Sequence, residues 1–203
     1  MTTNKDEGYI KFNYDWIPAT LPKTDMDELI YWRQKLYDAK LIGAYPNGIG
    51  YGNISQRYQG NQFIISASAT GNIAKTDASH FALVDDFDLA KNWLSCIGNL
   101  PASSESLSHA AIYQTLPEVN AIVHIHHSEL WNKYLNNFPT SNPEAAFGTP
   151  DLAFSLIDLI KKEASNKNII VMGGHKEGIL AFHKSMKLAS ECIIHLLDKL
   201  NEK

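Results

Sequence analysis

Ile10, Phe12, Tyr14 and Trp16 alternate with Lys11, Asn13 and Asp15 near the start of the chain. A period of two is the pattern of a strand with one buried face, so residues 1–24 are read as an arm that docks through a strand, ahead of a main domain over 25–203. Beyond Pro18 and Pro22 the period lengthens. Leu29, Trp32, Leu36 and Ala39 recur at helical spacing until Gly43, with Thr24 placed to cap a first helix. Two short apolar runs, 54–58 and 63–66, flank the turn-like Gln59-Gly60-Asn61-Gln62 and predict a hairpin. A strand is expected over 81–84, a helix over 105–115 stopped by Pro117, and a strand over 120–128. A Pro/Asn-rich loop over 136–143 leads to a helix opening at Thr149-Pro150-Asp151, striped by Leu152, Leu156, Leu159 and Ile160. Strands over 169–172 and 179–182 enclose a glycine-rich turn, and Ser185 caps a last helix with Ala189, Cys192, Ile193, Leu196 and Leu200 inward. Interleaved strands and helices without a repeat or linker predict an α/β fold with helices covering one sheet.

With 203 residues, 44% of them hydrophobic, the chain suffices for one well-buried core and is short for two. A net charge of −4 and no basic cluster beyond Lys161-Lys162 speak against a nucleic-acid partner. Cys96 and Cys192 are far apart and belong to no CxxC, which fits a reducing compartment and excludes a thiolate zinc knuckle. Lys5, Asp6 and Glu7 interrupt the beginning, and no run reaches the roughly 18 apolar residues of a spanning helix, so a soluble, cytoplasmic protein without membrane contact is expected.

The chemistry concentrates in histidines. On the strand expected over 120–128, His124 and His126 share a face and His127 takes the other, which makes His-x-His half of a metal site. His175, in the glycine-rich turn, is either the third ligand or an exposed turn residue; three imidazoles with one open position form a catalytic arrangement for Zn²⁺. His80, His183 and His195 read as ordinary structural or surface residues. Glu105 opens a helix, where the dipole favours an anion, and His109 lies one turn on, either as its partner or as a plain helix-face histidine. Ser103-Ser104, Gly52-Asn53 and Thr70-Gly71 are three turns whose N–H groups and short polar side chains suit an anion or simply cap local structure. Gly48-x-Gly-x-Gly52 lacks dinucleotide-binding spacing, and Walker A is absent.

Taken in order, Gly52-Asn53-Ile54-Ser55, Thr70-Gly71, Ser103-Ser104-Glu105 with His109 and Tyr113, His124-Ile125-His126, Phe147-Gly148-Thr149 and His175 resemble the class II aldolase/adducin family over about residues 25 to 200. The resemblance implies a three-layer α/β/α sandwich with a mostly antiparallel central sheet, and commonly a homotetramer with sites at subunit contacts. It implies Zn²⁺, or Mn, Fe or Co in its place, on His124, His126 and His175, with Glu105 as general acid/base and Asn53, Thr70, Gly71, Ser103 and Ser104 around a substrate phosphate. The implied activity is reversible aldol cleavage of a small, phosphorylated ketose through a metal-stabilised enediolate. Dehydration of a sugar phosphate at the same site, or a non-catalytic adducin-like binding role, are the alternatives. The chain departs from the aldolases in lacking their proton-donating tyrosine, for which Tyr51 and Tyr134 are the substitutes, in having Lys176 after His175, and in its N-terminal strand.

Overall fold

The computed structural model describes residues 8–162 and 168–202; Lys5, Asp6, Glu7 and the rest of the first seven residues of the arm lie outside them, as does Lys203. The chain runs β1 (Asn13–Pro18), α1 (Asp27–Asp38), β2 (Gly43–Ala44), β3 (Gly50–Tyr51), β4 (Asn53–Arg57), β5 (Phe63–Ser66), β6 (Phe81–Asp88), β7 (Trp93–Gly98), α2 (Ser106–Thr115), β8 (Ala121–His126), α3 (Ser128–Tyr134), α4 (Pro150–Lys162), β9 (Ile169–Val171), β10 (Gly178–His183) and α5 (Met186–Asn201). Eight strands form one sheet in the order β1-β7-β6-β5-β4-β8-β10-β9, and β2 and β3 form a separate two-stranded ribbon.

Alternation along the strands divides the buried side chains into two clusters. On β8, Ile122 joins Leu107, Ala110, Ala111 and Ile112 of α2 and Leu152, Leu156 and Ile160 of α4. Ala121, Val123 and Ile125 point oppositely and join Leu29 and Leu36 of α1, Leu130 of α3, and Ala189, Ile193 and Leu196 of α5. His124 and His126 stand in the row that Ile122 begins. The fold thus places two imidazoles on the α2 side of a central strand.

The expected hairpin is β4 and β5, closed by Tyr58 N–H donating to Gln62 O at 2.8 Å. Ser185 caps α5 through Leu188 N–H at 3.3 Å, and Thr149 Oγ1 accepts from Leu152 N–H at the start of α4. Thr24 does not cap α1. That helix begins at Asp27, whose N–H donates to Asp25 Oδ1, and it stops well short of Gly43, which belongs to β2. The sheet also needs a correction at one edge. Six strand pairs are antiparallel, but β1 runs parallel to β7, from Asn13 beside Trp93 to Pro18 beside Gly98, so the sheet is mixed. A parallel neighbour requires a long crossover, and here most of the first hundred residues intervene between the two partners.

β7 and α3 are additional to the sequence reading. Ser95, Cys96 and Gly98 dilute the apolar alternation of β7, and α3 is a seven-residue turn of helix whose N-cap is His127, its Nδ1 accepting from Leu130 N–H at 3.3 Å. Among the described residues no helix is long and apolar enough to cross a membrane.

Candidate metal centre

β8 lies between β4 and β10, with His124 beside Asn53 on one side and His126 beside Gly178 on the other. The two rings are 4.9 Å apart between centroids. His175 comes from the turn joining β9 to β10, which is closed by Gly178 N–H donating to His175 O at 3.0 Å. It is 1% exposed, with its ring stacked on Phe147 at 4.7 Å and set 5.3 Å from His124 and 4.7 Å from His126. The expected turn histidine is therefore a buried one, and one ligand atom from each of the three imidazoles lies within 4.8 Å of the others.

Burial, followed by the neighbouring imidazoles, holds His124 and His126 well below the ordinary histidine range. Neutral imidazole is the ligand form. His124 Nε2 is buried and has no hydrogen-bond partner among the described residues. Its Nδ1 faces the Asn53 amide at 3.2 Å, and Asn53 Oδ1 is likewise without a partner among them. With the amide turned through a half-turn, Oδ1 accepts from His124 Nδ1–H, and the Nε2 lone pair is left for a cation. The donor set fits a divalent metal such as zinc.

Glu105 immediately precedes α2 and is 3% exposed. One carboxylate oxygen lies 3.5 Å from His175 Nδ1, and the other accepts from Ser108 Oγ at 3.0 Å. His109, considered above as the partner of Glu105, turns elsewhere: its Nδ1 meets Ser55 Oγ at 2.7 Å, and that hydroxyl also meets Tyr113 Oη at 2.8 Å. Ser108 rather than His109 shares the face of α2 that reaches the carboxylate.

The full burial of His109 pushes it down to about 3. The unfolded chain takes up this proton near 6.5 and the native protein only near 3, so the contribution to stability is whole above the former and lost as pH falls toward the latter. Each pH unit in that window costs about 1.4 kcal/mol. Urea titrations of wild type and His109→Gln should show the variant losing stability less steeply between those limits; equal slopes would remove His109 from the acid response.

A cavity of about 300 Å³ adjoins the cluster at His124 and Glu105, and its lining includes Asn53, Thr70, Gly71, Ser103 and Ser104. The three turns singled out in the sequence thus converge on one space. Gly71 packs so closely on the β2–β3 ribbon that a Cβ there would collide with Gly43 O and Gly50 Cα. From beneath, Arg33 of α1, itself 1% exposed, donates to the carbonyls of Thr70, Gly71 and Ile73. Ser103 Oγ accepts from Glu105 N–H at 3.3 Å, and Thr70 Oγ1 donates to Ala67 O at 2.7 Å. Among the described residues, no lysine or arginine lines the cavity.

Tyr51 lies near the cluster, its ring 5.8 Å from that of His126, whereas Tyr134 packs on Phe138. A tyrosine that the sequence reading missed makes a direct hydrogen bond to the cluster. Tyr45 Oη meets His126 Nδ1 at 2.9 Å and donates to Glu177 Oε2 at 2.8 Å. Glu177 has φ +71, a left-handed conformation that costs an ordinary residue about 1 kcal/mol. No local pattern in the sequence announces its contact with Tyr45.

A family model described as the class II aldolase and adducin N-terminal domain matches residues 28–131. Among solved structures, an L-fuculose 1-phosphate aldolase superposes with a TM-score of 0.66 at 20% identity, over 89% of this chain and 85% of its own. An L-fuculose-1-phosphate aldolase from Thermus thermophilus gives 0.55 at 18% identity, over 86% and 94%. A sugar-phosphate aldolase from Thermotoga maritima gives 0.59 at 18% identity, over the same shares. Likeness at such identity speaks for the fold. The curated proteins gave no sequence match.

Proposed function

Because the chain belongs to the class II aldolase and adducin family, we propose that it is a zinc-dependent lyase that cleaves a small hydroxylated carbonyl compound, a phosphorylated ketose, by a reversible aldol reaction. The observation that carries this reading is the meeting of three buried imidazoles with a buried carboxylate beside a cavity lined by three anion-suited turns. A merely structural scaffold has no need to bury that set together.

His124, His126 and His175 would hold the metal. When bound, it supplies Lewis-acid polarisation of a carbonyl and stabilisation of the negative charge that develops next to it. Glu105 would take and return the proton of the reacting hydroxyl or carbon, with Ser108 donating to one of its oxygens. The N–H groups at the Thr70-Gly71 turn and at the start of α2 are suited to a phosphate or carboxylate, with the helix dipole adding to the attraction. The 3% exposure of Glu105 limits the water around its carboxylate.

The test is a panel of phosphorylated and unphosphorylated ketoses and hydroxy-carbonyl compounds, scored for aldehyde release and for loss of water. Chelator-sensitive aldehyde release from a phosphorylated member is the expected result. Water loss without carbon–carbon cleavage would replace the aldolase with a dehydratase on the same residues, and activity that survives complete metal removal would reject both.

A further inference from the structure

We propose that Tyr45 and Glu177 are positioning residues for the metal ligand His126, forming a hydrogen-bonded chain that fixes which ring nitrogen faces the metal. The inference rests on the metal-centre reading and extends it to residues outside the ligand set. Its basis is the polarity of two consecutive hydrogen bonds. A phenol has one proton. Tyr45 gives it to Glu177 Oε2, a carboxylate oxygen that only accepts, at 2.8 Å. The contact of 2.9 Å between Tyr45 Oη and His126 Nδ1 must then draw its proton from the imidazole. With Nδ1 as donor, Nε2 carries the lone pair, and Nε2 is the atom on the opposite side of the ring from Tyr45. The carboxylate thereby selects the ligating form of His126 through the tyrosine.

The backbone is built to sustain this chain. Glu177 keeps its left-handed φ within the turn that carries His175, and its carbonyl accepts from His127 N–H at 3.0 Å, which ties the turn to the end of β8. Glycine would adopt that φ freely, so the side chain is present despite the conformation. Tyr45 enters from the end of the β2–β3 ribbon, its N–H donating to Ile49 O at 2.8 Å and its ring lying 4.7 Å from that of Tyr51. The same ribbon carries the strand before Gly52-Asn53, so one local element presents Tyr45 to His126 and leads into the residue that meets His124. Orienting groups behind metal-bound histidines commonly change metal affinity by about 10- to 100-fold when removed.

Zinc affinity, measured by competition with a chromogenic chelator, should fall by about that factor in both Tyr45→Phe and Glu177→Gly. Glu177→Gln, which retains an oxygen for the phenol, should fall less. Glu177→Gly also relieves the left-handed strain, so its metal-free melting temperature should stay level or rise while zinc binding weakens; a merely structural role predicts the reverse. Long-range proton–nitrogen NMR on the metal-free protein should show His126 with its proton on Nδ1 in wild type, and a mixture of ring forms in Tyr45→Phe. Unchanged zinc affinity in Tyr45→Phe and Glu177→Gly, beside wild type that binds zinc and His126→Ala that does not, would overturn the positioning role and leave the metal centre standing. Wild-type protein that binds no zinc would overturn both.

Discussion

His126→Ala protein is expected to purify without zinc and to have no measurable lyase turnover, beside wild type carrying close to one zinc per chain. The loss follows from the count of donors: two imidazoles remain, and a catalytic zinc site needs three protein ligands. The fold should survive. His126 belongs to neither apolar cluster, and the strand that bears it is held on one side by β4 and on the other by β10. Elemental analysis gives the metal content, and circular dichroism with thermal melting separates loss of ligand from loss of structure. Unchanged zinc in a folded variant would reject the assignment of His126, and with it the histidine cluster as the metal centre.

Glu105→Gln should behave in the opposite manner, retaining zinc while turnover falls by roughly 10²- to 10⁴-fold, the range for removal of a general acid/base. Glutamine preserves the shape of the side chain, and its carbonyl oxygen can still accept from Ser108 Oγ, so the change is confined to proton transfer. Turnover is to be measured on the panel substrate cleaved fastest by wild type, with zinc content determined on the same preparation. Full activity would move the acid/base elsewhere; simultaneous loss of zinc would instead make Glu105 a ligand.

Much of this site was legible because its parts are local patterns. His124 and His126 are two residues apart on an apolar strand, and strand geometry alone puts both on one face. The turns at Asn53, Thr70 and Ser103 could be picked out one at a time, although only their convergence on one cavity unites them. What stayed hidden depends on distant pairing. His175 reads equally as a surface turn until β10 is aligned against β8 and the turn is drawn beneath Phe147. The contacts of Tyr45 with His126 and Glu177 span 81 and 132 positions, and no periodicity within one segment encodes such separations. His109 and Ser108 show the finer limit. Both lie within a turn of Glu105, and their direction is settled by packing, which sends His109 to Ser55 and leaves Ser108 with the carboxylate. The parallel pairing of β1 with β7 belongs with these, since alternation announces a strand without naming its neighbour or its direction, and the buried face it promised is not there: every residue of β1 is exposed, and of the alternating set only Phe12, ahead of the strand, is buried.

Arg33 would give an anion bound in the cavity an unusual relation to ionic strength. Surface lysines that grip a phosphate compete with dissolved salt, which screens exposed charges over about 8 Å under physiological conditions. The guanidinium of Arg33 is 1% exposed and sits behind the Thr70-Gly71 turn, where counter-ions have no approach. By occupying three carbonyls it also fixes the turn before any ligand arrives. An anion resting on that turn would be held by a charge that salt reaches poorly and by a loop that has no ordering left to do.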